Sequence, residues 1–262
     1  MSLSGKVAVV TGAARGLGRV VAQEMAARGA RMVLVDLAGA DASAAELAAG
    51  GAEVVAQHAD VSEETAVRAL VAATRERFGH VDVLVNNAGI SLLRPAEETS
   101  LAEWDRVLAV NLTSAFLCCR EFGALMLERR RGAIVNVSSI AGLRAVSDRS
   151  AYNASKHGLI GLSATLAAEW GGRGVRVNAV CPGWIKTEMD AEDQASGGYS
   201  DADIEGQVPM GRFARPEDVA EAICFLADDD IAGFVNGAAL PVDGGWSADA
   251  SWSTLRARAR SR

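Results

Sequence analysis

Three side chains in one short stretch could move a proton to or from a substrate oxygen. They are Ser139, Tyr152 and Lys156, within the run SSIAGLRAVSDRSAYNASK from Ser138 to Lys156. Tyr152 and Lys156 are four residues apart, so on a helix they share one face. A phenol with a pKa of about 10 is a poor base at neutral pH. A cation held beside it favours the phenolate and lowers that value. A tyrosine tuned in this way can act as a general acid or base. Ser139 adds a hydroxyl that can hydrogen-bond to the same oxygen.

Such residues need a scaffold, and the start of the chain reads as one. Lys6 to Val10 is a β-branched run, followed by the glycine turn TGAARGLG from Thr11 to Gly18. A helical pattern runs from Leu17 to Arg28, and Arg31 to Val35 is the next strand. This βαβ unit lets backbone at Gly12, Gly16 and Gly18 approach a pyrophosphate, with the helix N-terminus facing the anion. An ordinary tight turn is the alternative, and the strand before it and the acid after it weigh against that. The acid is Asp36, where a carboxylate can accept hydrogen bonds from ribose hydroxyls and repel a 2′-phosphate. A helix-capping role is the plainer reading of Asp36. Arg15 pulls the other way, since a cation in the turn could meet a 2′-phosphate. Leu37 supplies no cation, so the balance favours NAD over NADP.

Further along, the pattern predicts a helix over 41–49, a strand over 53–57, and a helix over 62–78 with Ser62 as N-cap. Val81 to Val85 is a strand closed by Asn86-Asn87-Ala88-Gly89. Leu101 to Glu128 reads as one long helix, and Asn111 in its middle is a buried polar group in need of partners. Gly132 to Val137 is a strand that delivers Ser138 and Ser139 at its C-terminal end, where open α/β sheets bind ligands. Ser150 to Trp170 is the helix carrying Tyr152 and Lys156; His157 points elsewhere and reads as a surface or packing residue. Val175 to Cys181 is a strand ending in the turn Pro182-Gly183. The polar stretch 188–210 reads as a substrate lid. A helix over 216–226 and a strand over 239–242 complete the pattern. Residues 248–262 carry an Arg-rich segment, read as a solvated tail or as packing on a neighbouring subunit.

Taken together these motifs, in this order and spacing, resemble the classical short-chain dehydrogenase/reductase family, from about Leu3 to Gly245. The resemblance implies one doubly wound, Rossmann-type α/β domain over 1–247 with about seven parallel strands. It implies Ser139, thirteen residues before Tyr152, as the catalytic serine in preference to Ser138. Tyr152 is then the proton exchanger, Lys156 its cation, and Asn111 the holder of a water linked to Lys156. It places Asp60 and Val61 at an adenine ring, Asn87, Ala88 and Gly89 beside the cofactor, and Ile185 and Thr187 at nicotinamide, with Thr187 also reaching the phosphates. Asp60 turning the chain, Val61 packing, and Asn86 and Asn87 serving as scaffold are the structural alternatives.

The expected reaction is NAD(H)-dependent interconversion of a secondary alcohol and a ketone. A 3-oxoacyl-thioester reductase using NADPH is the runner-up, and a non-catalytic dinucleotide-binding regulator is the third reading. Candidate pocket residues are Ser91, Leu92, Leu93, Arg144, Val146, Asp148, Trp184, Met189 and Tyr199. The polar run Ser147-Asp148-Arg149 could meet a hydroxylated substrate, and Arg144 or Arg149 a carboxylate or phosphopantetheine. The family usually forms tetramers through helices matching 101–128 and 150–170. A net charge of −7 argues against nucleic acid as a partner. No membrane-spanning run, secretory signal or metal-ligand spacing is read, and Cys118, Cys119, Cys181 and Cys224 read as reduced, in a cytoplasmic protein.

Overall fold

The computed structural model describes residues 2–195, 199–251 and 254–256. Seven strands form one parallel sheet. They are β1 (Val7–Thr11), β2 (Arg31–Asp36), β3 (Val54–His58), β4 (Val83–Asn86), β5 (Gly132–Val137), β6 (Val175–Pro182) and β7 (Ala239–Val242), in the order β3-β2-β1-β4-β5-β6-β7. The strand order reverses between β1 and β4, the switch point at which such sheets open a crevice at their C-terminal ends.

The strands are near-continuous apolar runs because both faces are covered. On β1, Ala8 and Val10 face one core and Val7 and Val9 the other. The first face is covered by α1 (Gly16–Ala27), α2 (Ala40–Ala49) and, from the C-terminal half, α9 (Pro216–Ala227). The second is covered by α3 (Glu64–Phe78), α5 (Ser114–Arg129) and α6 (Ser150–Trp170). Short helices α4 (Leu101–Leu108), α7 (Glu188–Ala195), α8 (Asp201–Gln207) and α10 (Asp229–Ala232) fill the connections.

Four expectations change. The long helix over 101–128 is α4 and α5 joined by a π-helical turn, Ala109–Thr113, with Asn111 inside it. This stretch is long and apolar enough, by composition, to cross a membrane, contrary to the sequence reading; 56% of its most apolar window is buried within the fold. Ser62 does not cap α3. Glu63 holds the cap position, and the Ser62 backbone N–H and hydroxyl both go to Asp60 Oδ1. The 188–210 stretch is mostly helical: α8 starts on a reciprocal Ser200/Asp203 capping box, and Ile204, Val208 and Phe213 make a small core of their own.

The C-terminal segment also departs from a solvated tail. Arg256 is 6% exposed. Its guanidinium pairs with Asp249 at 2.6 Å and donates to Gln207 Oε1 at 2.9 Å and Ser251 O at 2.6 Å, docking the segment on the end of α8. Gly197 and Gly198 of the expected lid, and Arg258, Arg260 and Arg262 of the tail, lie outside the described residues.

The helices α5 and α6 pack closely at Gly123. A Cβ there would stand 2.7 Å from two ring carbons of Trp170. Overpacking of this kind costs about 1–3 kcal/mol. Gly123→Val is therefore expected to lower the thermal midpoint by roughly 5 °C. An unchanged midpoint by calorimetry would refute the contact.

Candidate active site

The glycine turn is built by exclusion. Gly12 has φ +66°, and a Cβ on it would meet Ala88 Cα at 2.9 Å. Gly18 opens α1 against the turn itself, where a Cβ would lie 2.0 Å from Gly12 O and 2.5 Å from Asn87 Nδ2. The start of α1 has no side-chain cap, so its first N–H groups and the helix dipole point into the crevice. The turn is tied across the switch point to β4. Asn87 Nδ2 donates to Thr11 O and Gly12 O, both at 3.0 Å, and the N–H groups of Asn87 and Ala88 donate to Thr11 Oγ1. Asn86 faces inward instead, donating to Asn136 Oδ1 at 2.8 Å, and is scaffold.

Asp36 ends β2 with its carboxylate fixed by backbone: Oδ2 accepts from Ala14 N at 3.0 Å and Oδ1 from Leu37 N at 2.8 Å. Arg15 does not turn toward it. Its guanidinium bridges to Glu192 on α7 at 3.0 Å, an exposed pair across the mouth of the cleft. Asp60 is held by Ser62, whose hydrogen bonds keep its carboxyl below the usual range.

These elements line a single cleft of about 390 Å³ above the strand ends. Of the residues expected to hold a dinucleotide, all but Gly18 line it. Gly18 acts from behind, by letting α1 pack on the turn. The uncapped helix start, the glycine turn and the oriented Asp36 carboxylate fit a nicotinamide dinucleotide.

At the far end of the cleft, β5 presents Ser138 and Ser139 in different roles. The Ser138 hydroxyl is used internally, donating to Lys156 O at 2.9 Å. Ser139 begins a 3₁₀ turn and accepts from Ala141 N, and its hydroxyl pulls the pKa of the Tyr152 phenol down. Lys156 is 4% exposed, and its ammonium donates to Val137 O at 2.9 Å and stands 5.6 Å from the Tyr152 ring centre. Asn111 is 1% exposed, and both of its amide donors are used. Its Oδ1 accepts from Ile90 N at 2.8 Å, and its Nδ2 donates to Ile90 O at 2.9 Å and to Ser155 Oγ at 3.2 Å. The π turn opens the helix there, as such bulges do at functional sites, and lets Asn111 bridge the β4 loop to α6.

The electrostatics run against the sequence expectation of a lowered phenol pKa. Burial pushes the Tyr152 phenol up, while Ser139 and the Arg149 cation pull it down and Asp193 adds to the rise. Burial likewise lowers the Lys156 ammonium to about 8. Burial therefore disfavours the charged form of both groups.

On the substrate side, Val146, Trp184, Met189 and Tyr199 line the cleft as expected; Leu93, Arg144 and Asp148 do not. Arg144 is exposed and donates to Ser247 O, and Asp148 is exposed at φ +58°. Ser91 sits behind Arg149, accepting from its guanidinium at 2.6 Å. Trp184 meets Tyr199 and Trp246 edge-on, and Tyr199 donates to Asp190 at 3.0 Å. Sequence reasoning missed Asp190 and Asp193. Both lie on α7, three apart, and the spacing signals a shared face once 188–195 is read as helix.

The description "Enoyl-(Acyl carrier protein) reductase" belongs to the family model that matches residues 12–247. The chain is a classical short-chain dehydrogenase/reductase. This reductase is 46% identical over 247 residues to D-threitol dehydrogenase of Mycolicibacterium smegmatis, covering 94% of each chain. It is 39% identical over 247 residues to a 3-oxoacyl-[acyl-carrier-protein] reductase of Synechocystis, covering 93% of this chain and 98% of that one. A solved structure described as an NAD(P)-dependent gluconate 5-dehydrogenase from Beutenbergia cavernae, with NADP at low occupancy, superposes with a TM-score of 0.87. Its identity is 42%, over 95% of this chain and 99% of that one. The enzyme is thus an oxidoreductase acting on CH–OH groups.

Gly18→Ala is expected to abolish nucleotide binding, because the new methyl meets backbone that cannot give way. Titration of the variant with NADH, followed by nicotinamide fluorescence, checks this. Circular dichroism should show the fold retained, and near-wild-type binding would overturn the account of the turn.

Proposed function

We propose that this reductase interconverts a secondary alcohol and a ketone using NAD(H). The observation that carries the proposal is the meeting of Ser139, Tyr152 and Lys156 in the same cleft as the backbone-held Asp36 carboxylate. Bound nicotinamide supplies the hydride acceptor or donor. The glycine turn and the α1 N-terminus would hold its pyrophosphate, and Asp36 its adenosine ribose, where a carboxylate disfavours a 2′-phosphate. The acyl-thioester reductase reading calls for NADPH, and Arg15, the cation that could serve it, faces Glu192.

In the oxidation direction, Tyr152 as phenolate takes the hydroxyl proton of the substrate. Ser139 holds the substrate oxygen by a hydrogen bond and stabilises the charge that develops there during reduction. Lys156 provides the countercharge for the phenolate. Asn111 fixes the β4 loop against α6 and so holds the ammonium in place. The 188–210 segment serves as the lid, with α7 tied to the glycine turn through Glu192 and to α6 through Asp193. Assembly into a tetramer through α5 and α6 would cover Phe116, which is 43% exposed.

Tyr152→Phe should retain NADH binding while turnover falls by about 10²–10⁴-fold. Retention of full turnover would remove Tyr152 from its role. Asp36→Ala should raise NADP-dependent kcat/KM relative to NAD by at least tenfold, on the order of one lost charge repulsion; an unchanged ratio would disprove the role given to Asp36.

Oxidation uses the deprotonated phenol and reduction the protonated one. With the phenol pKa held up, oxidation should climb with pH through the alkaline range while ketone reduction falls over the same range. Initial rates in both directions check the sign. An oxidation rate that instead declines above pH 8 would make protonated Lys156, with its pKa of about 8, the limiting group.

A further inference from the structure

One charged pair in the cleft acts on the Tyr152 phenol only through its charges and is not among the residues assigned to the nucleotide. Arg149, at the N-cap of α6, and Asp193, on α7, form an ion pair at 2.8 Å with side chains only 8% and 14% exposed. Ser91 closes the triangle: its hydroxyl accepts from Arg149 Nη1 at 2.6 Å and donates to Asp193 Oδ2 at 3.0 Å. The guanidinium carbon lies 5.9 Å from the Tyr152 ring centre, and both charged residues line the cleft. A buried ion pair loses hydration on both partners, and apolar residues would serve stability as well.

The chain also spends backbone strain to aim Arg149. Asp148 holds φ +58°, a left-handed conformation that is costly for a residue with a side chain. Arg94 N donates to Asp148 O at 2.7 Å, and Arg94 pairs with Arg149 as an isolated parallel bridge. Asn153 Nδ2 donates to Val146 O at 2.7 Å and pins the other end of the same loop. The fork of Arg149 is thereby pre-set beside the phenol. Two of its five N–H donors serve Ser91 and Asp193, and others remain for a ligand.

We infer that the Arg149–Asp193 pair recognises a hydroxyl on the carbon next to the reacting one, so the substrate is a neutral vicinal diol or its hydroxyketone. The inference rests on the proposed role of Tyr152, which sets where the reacting oxygen lies. A hydroxyl both donates and accepts, and so can engage the guanidinium and the carboxylate together. A carboxylate or phosphate group would find the Arg149 cation already neutralised by Asp193, with buried Asp190 close by on the same helix. Val146, Trp184 and Met189 give the carbon skeleton an apolar wall.

The test compares 2,3-butanediol, 2-butanol and 3-hydroxybutanoate, which share a four-carbon skeleton. Initial rates with NAD on the wild-type enzyme should favour the diol over 2-butanol by about 10²-fold in kcat/KM, because the analogue lacking the hydroxyl leaves buried polar partners unsatisfied. Arg149→Met and Asp193→Asn should each cut that ratio by at least tenfold, mainly through KM for the diol. Arg149→Lys should restore part of it. A second readout needs no turnover: diol and mono-alcohol are titrated into Tyr152→Phe carrying NADH, with nicotinamide fluorescence as the signal. Tighter binding of the diol, lost on adding Arg149→Met, supports the inference. Equal binding of the two alcohols, or an equal fall in both kcat/KM values, overturns it. Preference for 3-hydroxybutanoate overturns it in favour of an anion site. Diol-selective binding without turnover in the wild type would leave the inference standing and sink the proposed reaction instead.

Discussion

Burying the ammonium of Lys156 is the constraint that organises the active end of this protein. A cation almost wholly removed from water is costly, and burial holds its pKa down to about 8. The fold supplies one fixed acceptor, the carbonyl of Val137 at the end of β5, and a phenol one helical turn away. To bring them together, α6 must press closely on the β5 end. Gly142 permits it, since a Cβ there would come within 2.7 Å of Lys156 O. The π turn in the facing helix follows from the same need. It carries Asn111 out of α-helical phase, so that one amide can grip the backbone of Ile90 and the hydroxyl of Ser155 together.

Much of this was legible in the sequence because it is local. Each strand is an apolar run of the right length, and the glycine turn, Asp36 and the Tyr152–Lys156 spacing are short-range patterns tied to backbone geometry. The π turn was not legible, because one extra residue in a turn scarcely disturbs an apolar period across nearly thirty residues. Ser62 was read as a cap from its type, yet Asp60, two residues earlier, claims its hydroxyl. The stretch over 188–210 hid its helices behind a polar composition, although Ser200 and Asp203 form a reciprocal cap whose spacing is plain in retrospect. Arg144 and Asp148 were placed in the pocket by proximity to Tyr152, whereas the loop turns both outward. Asp193 pairs with a residue 44 positions away, and no local pattern encodes that.

The two ends of the cleft are built from different materials. The nucleotide end is made largely of strand termini and backbone groups whose positions the whole sheet fixes. The substrate end is made of side chains on a strained loop and a two-turn helix. The ties across α7 differ accordingly. Arg15 and Glu192 are each more than 60% exposed, and such a pair is worth about 0–1 kcal/mol. Arg149 and Asp193 are buried, and separating them leaves two charges short of water. The helix is therefore held loosely over the nucleotide side and firmly over the substrate side.

Arg256 gives this arrangement an evolutionary aspect. It lies beyond residue 247, where the family match stops, yet it is buried against the end of α8, the helix that follows Tyr199. Part of the framework behind the substrate wall is thus anchored in sequence outside the shared domain. Such appendages tolerate insertion, exchange and drift far better than strands do. A change at the carboxyl end can therefore alter the backing of α8 without touching Ser139, Tyr152, Lys156 or Asn111.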